Sequence, residues 1–183
     1  MYKLCKTEQS ALRQRQLEQG LLQILQTQCY EDVSISELCD KLGVPRKSFY
    51  RYFSGKDGAL AALIDHTLMD FEKTQSIPNA TGLGDLEKYF VFWHENKMLL
   101  YALERSHLNG ILVERSTSHA LNEQLMPKYM KNMPRDIQAM ALTFVVSGLL
   151  AMVLQWHNSG YRKTPKEMAR LATDMLERPL ISR

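Results

Sequence analysis

The clearest structural signal in the sequence lies between Val33 and Asp57, which read VSISELCDKLGVPRKSFYRYFSGKD. Ser34 and Glu37 make an S-x-x-E capping box. In this motif the serine hydroxyl accepts a hydrogen bond from a free backbone amide at the start of the helix, and the glutamate carboxylate accepts one from the backbone amide of the cap residue. Gly43 suits the left-handed conformation that ends many helices. These signals predict a short helix between Ser34 and Gly43.

A further short helix is predicted after a tight turn. Pro45 has the fixed φ that suits the first position of a helix, and RKSFYRYF follows it. Phe49 and Phe53 are four residues apart, so we expect them to share an inner face with Leu38 and Leu42. Two short helices that flank a tight turn are typical of a helix-turn-helix motif.

The flanking segments show helical rather than strand periodicity. Leu17, Leu21 and Leu25 keep the i, i+4 spacing of one helix face, which predicts a first helix from about Thr7 to Gln28. Residues 54–73, SGKDGALAALIDHTLMDFEK, predict a longer fourth helix. The sequence therefore predicts an all-α protein that begins with a three-helix helix-turn-helix domain.

The chemistry of the second short helix favours DNA binding. Arg46, Lys47 and Ser48 occupy its first turn, where side chains of a reading helix meet base edges, and Arg is the commonest bidentate partner of guanine. The Tyr50 hydroxyl is placed to reach a phosphate. Lys56 begins the fourth helix, where its charge and the free backbone amides suit a phosphate. The alternative is a solvated basic face, the usual role of a charge run.

The motif set from Leu17 to Leu60 resembles the TetR family of one-component transcriptional regulators. The resemblance is carried by the first helix, VSISELCDKLGV, SFYRYF and the lysine of GKDGAL. SGLLAMVLQWHNSGYRKTPKEMARLATDML is similar to the family's last two helices. The resemblance to this family implies a homodimer that binds a palindromic double-stranded DNA operator. It also implies phosphate contacts at Tyr50 and Lys56 and base contacts near Arg46, Lys47 and Ser48. The full predicted DNA-binding set is Ser34, Ser36, Arg46, Lys47, Ser48, Tyr50, Arg51 and Lys56.

The second half of the chain predicts a helical domain that needs a partner. Residues 136–160 and 165–176 predict two long helices around a Gly-Tyr-Arg-Lys-Thr turn. The segment ALTFVVSGLLAMVL, residues 141–154, is apolar all round and must be covered on every side. A second subunit would supply that cover, and Ser147 with Gly148 would let two helix backbones approach closely. The apolar run is shorter than about 18 residues, so we predict no membrane span.

The domain limits follow from composition. SIPNATGLG, residues 76–84, is the most linker-like stretch. We therefore expect a DNA-binding domain at residues 1–56, a connecting helix at 57–75, and a C-terminal effector-binding and dimerisation domain at 76–183.

Overall composition sets limits on location and partners. The 183 residues carry a net charge of only +3, so any nucleic-acid role must depend on local clustering. Cys5, Cys29 and Cys39 form no CxxC pair, and the N-terminus lacks a secretory pattern, which favours the cytoplasm.

Two kinds of C-terminal partner fit the sequence. An effector pocket would combine large apolar surfaces with a few polar tips, and it would take an uncharged or weakly polar molecule. The residues predicted for it are Trp93, Tyr101, His107, Met140, Phe144 and Trp156. Plain core packing explains the same residues, and a protein partner in place of a small effector is the alternative function.

Catalytic and cofactor patterns are missing from the sequence. The five histidines have no metal-ligand spacing, and no phosphate loop, nucleophile elbow or carboxylate pair stands out. We therefore expect no metal, no cofactor and no enzymatic activity.

Overall fold

The computed structural model describes residues 1–74, 83–122 and 130–177. Their regular structure consists of nine α-helices and two single 3-10 turns, at Tyr30–Asp32 and Met130–Asn132. The helices are α1 (Glu8–Ile24), α2 (Ile35–Lys41), α3 (Arg46–Tyr50), α4 (Lys56–Thr74), α5 (Leu83–Glu95), α6 (Lys97–Arg105), α7 (Asn109–Asn122), α8 (Arg135–Asn158) and α9 (Pro165–Glu177). The prediction of an all-α fold is confirmed.

The chain divides into two compact units. The first contains Met1–Thr67 and Tyr101–Arg115, and the second contains Leu68–Leu100 and Ser116–Arg183. The first unit thus includes the junction of α6 and α7, which the sequence analysis assigned to the C-terminal domain. The predicted linker at 76–84 lies mostly outside the described residues, so the domain limits stay predictions.

The helix ends of the first unit follow the predicted capping signals. Ser34 Oγ accepts a hydrogen bond from the Glu37 amide at 3.1 Å, and α2 begins directly after Ser34. Gly43 has a φ of +62°, which ends this segment in the left-handed region where glycine carries no steric penalty. α1 is capped in the same way, since Thr7 Oγ1 accepts from the Ser10 amide at 3.3 Å.

Two predicted helices are shorter than expected. α1 ends at Ile24 rather than near Gln28, because the following amides turn back onto the carbonyls of Gln23 and Ile24. α3 ends at Tyr50, and Pro45 is its N-cap rather than its first residue. Residues 51–53 leave the helix because the N-terminal segment pairs with them.

That N-terminal segment, residues 1–3, straps the end of α3. Tyr2 and Phe53 form an isolated antiparallel bridge. The Lys3 amide donates to the Tyr52 carbonyl at 2.9 Å, and the Ser54 amide donates to the Met1 carbonyl at 3.0 Å. The Tyr52 carbonyl and the Ser54 amide thus bond to the N-terminal segment, whereas in a continued helix they would bond within the helix.

The core of the first unit depends on close packing of α1 against α2. Gly20 is buried, and a Cβ added there would lie 2.4 Å from Leu42 Cδ1. Aromatic side chains fill the space beneath α3, where the Phe49 and Phe53 ring centroids lie 5.0 Å apart and both are fully buried. Phe49 of α3 and Phe53, just beyond its end, therefore share a buried side as predicted, whereas their contact with Leu38 and Leu42 stays a prediction.

The second unit is built on α5, which packs along α9 and contacts α8. Trp156 of α8 is buried, and its indole nitrogen donates to the Lys163 carbonyl at 2.9 Å. Phe90 of α5 meets the same indole at a centroid distance of 5.8 Å. The α8–α9 turn uses positive φ at Gly160 and Tyr161, and the Tyr161 ring packs 4.8 Å from Trp156.

Large apolar side chains of α8 are exposed in the part of the chain that the structure describes. Phe144 is 67% exposed and Met140 is 65% exposed, and Gly148 has open space beside it. The buried residues of this helix are Leu142, Leu150, Val153 and Trp156. The prediction that the apolar run is too short for a membrane span was wrong, because α8 has 24 residues and is apolar enough, by length and composition alone, to cross a membrane.

We predict that Gly20→Ala destabilises the protein by about 1–3 kcal/mol, because the new methyl group overlaps the Leu42 side chain where α1 crosses α2. Urea unfolding measures the change. The matched control is Gly110→Ala, a helical glycine with open space, which should keep or slightly raise stability. Equal effects from both substitutions would contradict this packing.

Candidate nucleic-acid interface

α3 separates apolar and cationic side chains onto opposite faces. Phe49 points into the core and is fully buried. Arg46, Lys47 and Arg51 are exposed, and Tyr50 is 44% exposed with its ring edge against Phe49. The exposed face therefore presents three cations and one hydroxyl from a helix that is held from behind by aromatic packing.

The remaining predicted residues lie around this helix. Ser48 is half-buried on α3, and Ser36 is half-buried on the first turn of α2. Ser34 is exposed, and its hydroxyl oxygen caps α2. A hydrogen bond from Gln28 Nε2 at 2.7 Å, with a further contribution from Lys41, lowers the pKa of the Glu37 carboxyl and holds the start of α2.

Lys56 makes a set of contacts that sequence reasoning missed. Its ammonium group donates to the carbonyls of Tyr30, Glu31 and Val33 at 2.6, 2.9 and 3.0 Å. The same nitrogen lies 4.5 Å from the centre of the Tyr30 ring. All three ammonium hydrogens are thereby used, so a phosphate contact by Lys56 requires at least one of these bonds to open.

Tyr30 completes this junction between α4 and the turn that precedes α2. Its hydroxyl donates to Asp57 Oδ1, and burial together with this hydrogen bond raises the pKa of Tyr30 well above its ordinary value. The Tyr30 amide in turn donates to Ser106 Oγ at 3.0 Å. Arg105 Nη2 donates to the Thr27 carbonyl at 2.8 Å. The α6–α7 junction thus fixes the α1–α2 connection from a second side.

An ionic network anchors the other end of the first unit. Arg115 of α7 pairs with Asp65 of α4 through two hydrogen bonds, the Nε contact being 2.6 Å long. The Tyr2 hydroxyl donates to the same carboxylate at 2.8 Å, which ties the N-terminal strap to α4. Nearby, His66 Nδ1 lies 2.9 Å from both carboxylate oxygens of Glu18, which is completely buried.

A groove of about 800 Å³ with both apolar and polar lining adjoins α3. It lies between α1 and the α2–α3 turn, and its polar lining includes Arg13, Gln16, Gln19, Gln23, Ser48 and Arg51. The groove brings basic and amide side chains of α1 to the same side as Ser48 and Arg51 of the candidate interface.

The predicted effector residues are divided between the two units. Trp93 and Trp156 are buried in the second unit, at 2% and 3% exposure. Met140 and Phe144 face outward from α8, because the residues of α8 that pack inward lie on the side of Trp156.

Tyr101 and His107 belong to the first unit, and both are exposed. His107 has a φ of 56° at the α6–α7 junction. The ring of Tyr101 borders Arg105, whose Nη1 donates to the tyrosine hydroxyl at 3.3 Å. Tyr101 thus contacts Arg105 near the end of α6, and His107 forms part of the turn between α6 and α7.

The second unit has an open groove of about 560 Å³ between α8 and α9. Its apolar lining includes Met152, Trp156, Met168, Leu171 and Met175. Among the described residues, no cluster of His, Cys, Asp and Glu has the arrangement of a metal site.

Two family models match the chain. Residues 20–63 match "Bacterial regulatory proteins, tetR family", and residues 84–178 match "Transcriptional regulator C-terminal region". A comparison with curated proteins found no match.

Solved structures with the same fold are regulators. The "Dihydroxyacetone kinase operon activator DhaS" is 12% identical with a TM-score of 0.62, covering 90% of this chain and 93% of that one. A tetR-family regulator from Streptomyces coelicolor is 19% identical with a TM-score of 0.56, covering 93% and 80%. The fatty acid degradation regulator FadR from Bacillus halodurans is 14% identical with a TM-score of 0.61, covering 98% and 100%. At these identities the likeness concerns the fold.

We predict that Lys56→Ala lowers the free energy of unfolding by about 1–3 kcal/mol, because three carbonyls lose a charged donor. Thermal and urea unfolding measure the loss. The control is Lys41→Ala, which removes only a surface i, i+4 pair worth about 0.3–0.5 kcal/mol. An unfolding free energy that is unchanged in Lys56→Ala would show that these bonds add nothing to stability.

Proposed function

The chain belongs to the TetR family of DNA-binding transcriptional regulators, which are not enzymes, and we propose that it represses transcription as a homodimer on a palindromic operator and is released by a small-molecule effector. The cytoplasm is the location that this role requires. The observation that carries the proposal is the short helix α3, which is buried through Phe49 and exposes Arg46, Lys47 and Arg51.

We assign different tasks to the exposed side chains of the interface. Arg46, Lys47 and Ser48 lie in the first turn of α3 and are proposed to meet base edges in the major groove. Tyr50 and Arg51 follow them and are proposed to contact phosphates, which fix the register. Ser34 and Ser36, at the start of α2, are proposed to add contacts to the DNA backbone.

Lys56 is proposed to support DNA binding in two ways. Its bonds to the carbonyls of Tyr30, Glu31 and Val33 hold α4 against the turn that leads into α2. Partial release of this ammonium toward a phosphate would add an electrostatic contact at the amino end of α4. The first task governs stability and the second governs the salt dependence of binding, so the two are separable by experiment.

Homodimerisation is proposed to use the uncovered face of α8. Phe144 and Met140 expose large apolar surfaces, and monomeric proteins seldom leave such surfaces contiguous. Gly148 lies along the same helix with open space beside it, which suits a close approach of a second helix. We therefore propose a subunit interface as the role of Met140 and Phe144, two of the six residues predicted for an effector pocket.

A reporter assay decides whether the protein represses or activates transcription. One structural neighbour is named an operon activator, so both signs must be distinguishable. If the protein is a repressor, deletion of its gene should raise expression of a reporter from the promoter that carries the operator. If it is an activator, the same deletion should lower that expression. The alternative function is that the second unit binds a protein partner. The open groove between α8 and α9 is a surface on which such a partner could bind.

We predict that Arg46→Ala weakens binding to the selected operator by about 1–3 kcal/mol and does so mainly at one base pair of each half-site. Fluorescence anisotropy with single-position operator variants measures the loss. Lys166→Ala, which removes an exposed cation from α9, is the control and should change neither affinity nor specificity. Uniform loss across all operator variants would make Arg46 a phosphate contact.

Phe144→Ser is expected to dissociate the dimer while each subunit stays folded, because the side chain is 67% exposed in the single chain. Sedimentation velocity and circular dichroism measure assembly and folding. Leu12→Ser removes another apolar side chain, 59% exposed on α1, and should leave assembly unchanged. A Phe144→Ser protein that remains dimeric at micromolar concentration would exclude this face of α8 as the interface.

A further inference from the structure

The N-terminal strap, residues 1–3, is hydrogen-bonded to the corner between α3 and α4, which consists of residues 51–55. The Lys3 amide donates to the Tyr52 carbonyl at 2.9 Å. The Met1 carbonyl accepts from both the amide and the hydroxyl of Ser54, at 3.0 and 2.8 Å. The corner is therefore ordered by three hydrogen bonds to a segment that is distant in sequence.

The backbone of the strap passes directly over Gly58 in the first turn of α4. Gly58 is buried, and a Cβ added there would lie 2.3 Å from the Met1 carbonyl oxygen. Because the atom in the way belongs to the backbone, it cannot move aside as a flexible side chain would. Glycine is a poor helix former, so the close approach of the strap is a physical reason for glycine at this position.

Tyr2 anchors the strap to the side of α4. Its hydroxyl donates to Asp65 Oδ2 at 2.8 Å, and its ring lies edge-on to the His66 ring at a centroid distance of 5.5 Å. Burial, together with the hydrogen bond to Asp65, raises the pKa of the Tyr2 hydroxyl, which therefore stays a donor at neutral pH. Arg115 of α7 holds the same carboxylate through two hydrogen bonds. The acceptor of Tyr2 is thus fixed by a second helix.

A third attachment joins the strap to α1. Gln14 is 1% exposed, and its Nε2 donates to the Lys3 carbonyl at 3.2 Å. Residues 1–3 therefore bond to α1, to α4 and to the α3–α4 corner at the same time. Any displacement of the corner relative to α1 and α4 has to break some of these bonds.

The position of this corner matters because α3 is short. The helix has five residues, and a helix of this length is not stable through its own hydrogen bonds alone. Tyr50 is its last residue and Arg51 its C-cap, so both side chains directly precede the residues that bond to the strap. The strap therefore acts on the end of α3 that carries the proposed phosphate contacts.

We propose that residues 1–3 position α3 for operator reading, and that Tyr2 is a positioning residue that acts through Asp65 and the α3–α4 corner. In this role the strap limits α3 to one orientation, so that its first turn and its last residues meet the DNA together. The inference rests on the proposed function, and it adds a segment that the sequence motif of the DNA-binding domain does not include.

The first test is hydrogen exchange of single amides, measured by NMR on the full chain. Gly58→Ala displaces the Met1 carbonyl, so the Lys3 and Ser54 amides should exchange about tenfold faster or more, whereas the amides of α1 keep their protection. The matched control is Gly110→Ala, in the first turn of α7 with open space beside it, which should change neither amide. Wild-type exchange of both amides in Gly58→Ala would overturn the proposed attachment.

The second test is operator affinity, measured by fluorescence anisotropy at several salt concentrations. Gly58→Ala should weaken binding about tenfold and Tyr2→Phe about threefold or more, since each removes a constraint on α3. The salt dependence should stay that of the wild type, because no phosphate contact is lost. Tyr2→Phe keeps the ring against His66, so it decides this test if Gly58→Ala does not fold. Wild-type affinity in Tyr2→Phe, or a salt slope reduced by about one unit, would overturn the positioning role.

A stability control separates positioning from a general loss of stability. Thr67 Oγ1 donates to the Leu63 carbonyl at 2.8 Å within α4, and Thr67→Val removes this buried bond without touching the strap. This variant should unfold more easily yet bind the operator like the wild type. An equal loss of affinity in Thr67→Val would overturn the proposal, because stability alone would explain the strap variants.

Failure of this inference is distinguishable from failure of the proposed function. A wild-type chain that binds no operator contradicts the proposed function, whereas hydrogen exchange still decides whether the strap orders the corner. An operator that is bound equally by the wild type and by Tyr2→Phe overturns the positioning role while the regulator stands.

Discussion

The first unit depends on one cation with three carbonyl partners. Lys56 begins α4 and holds the carbonyls of Tyr30, Glu31 and Val33, which are the last residues before the cap of α2. The position of α2 relative to α4 is therefore set by hydrogen bonds as well as by apolar packing. Since α3 follows α2 after a tight turn, the Lys56 contacts that fix α2 also determine the orientation of the exposed face of α3.

A second constraint is the apolar surface of α8. The chain leaves Phe144 and Met140 exposed while it buries Trp156 on the same helix. A helix with apolar residues on several sides needs more than one partner, and among the described elements α5 and the 3-10 turn Met130–Asn132 contact α8. We propose that a second subunit covers the exposed side of α8, so that a dimer carries two copies of α3.

Local signals in the sequence were sufficient for some of the helices and caps, although α1 and α3 end earlier than predicted. Ser34, Gly43 and the periodicity of the last two helices predicted α2, α8 and α9 closely, because capping and periodicity act within a few residues. The contacts of Lys56, Arg105 and the N-terminal strap could not be predicted, since their partners lie 23 to 78 residues away in sequence. The surroundings of the predicted effector residues could not be read from the sequence for a similar reason, and their role stays a prediction. An apolar helix such as α8 does not reveal from its sequence which face packs inward and which meets a partner.

The most direct test of the central claim is selection of bound duplexes from random DNA by the wild-type chain, followed by native mass spectrometry of the complex. The account predicts enrichment of a palindromic sequence and a complex with two chains for each pair of half-sites. Enrichment of no sequence, or a single chain bound to an asymmetric site, would contradict the claim that two α3 helices read the operator together.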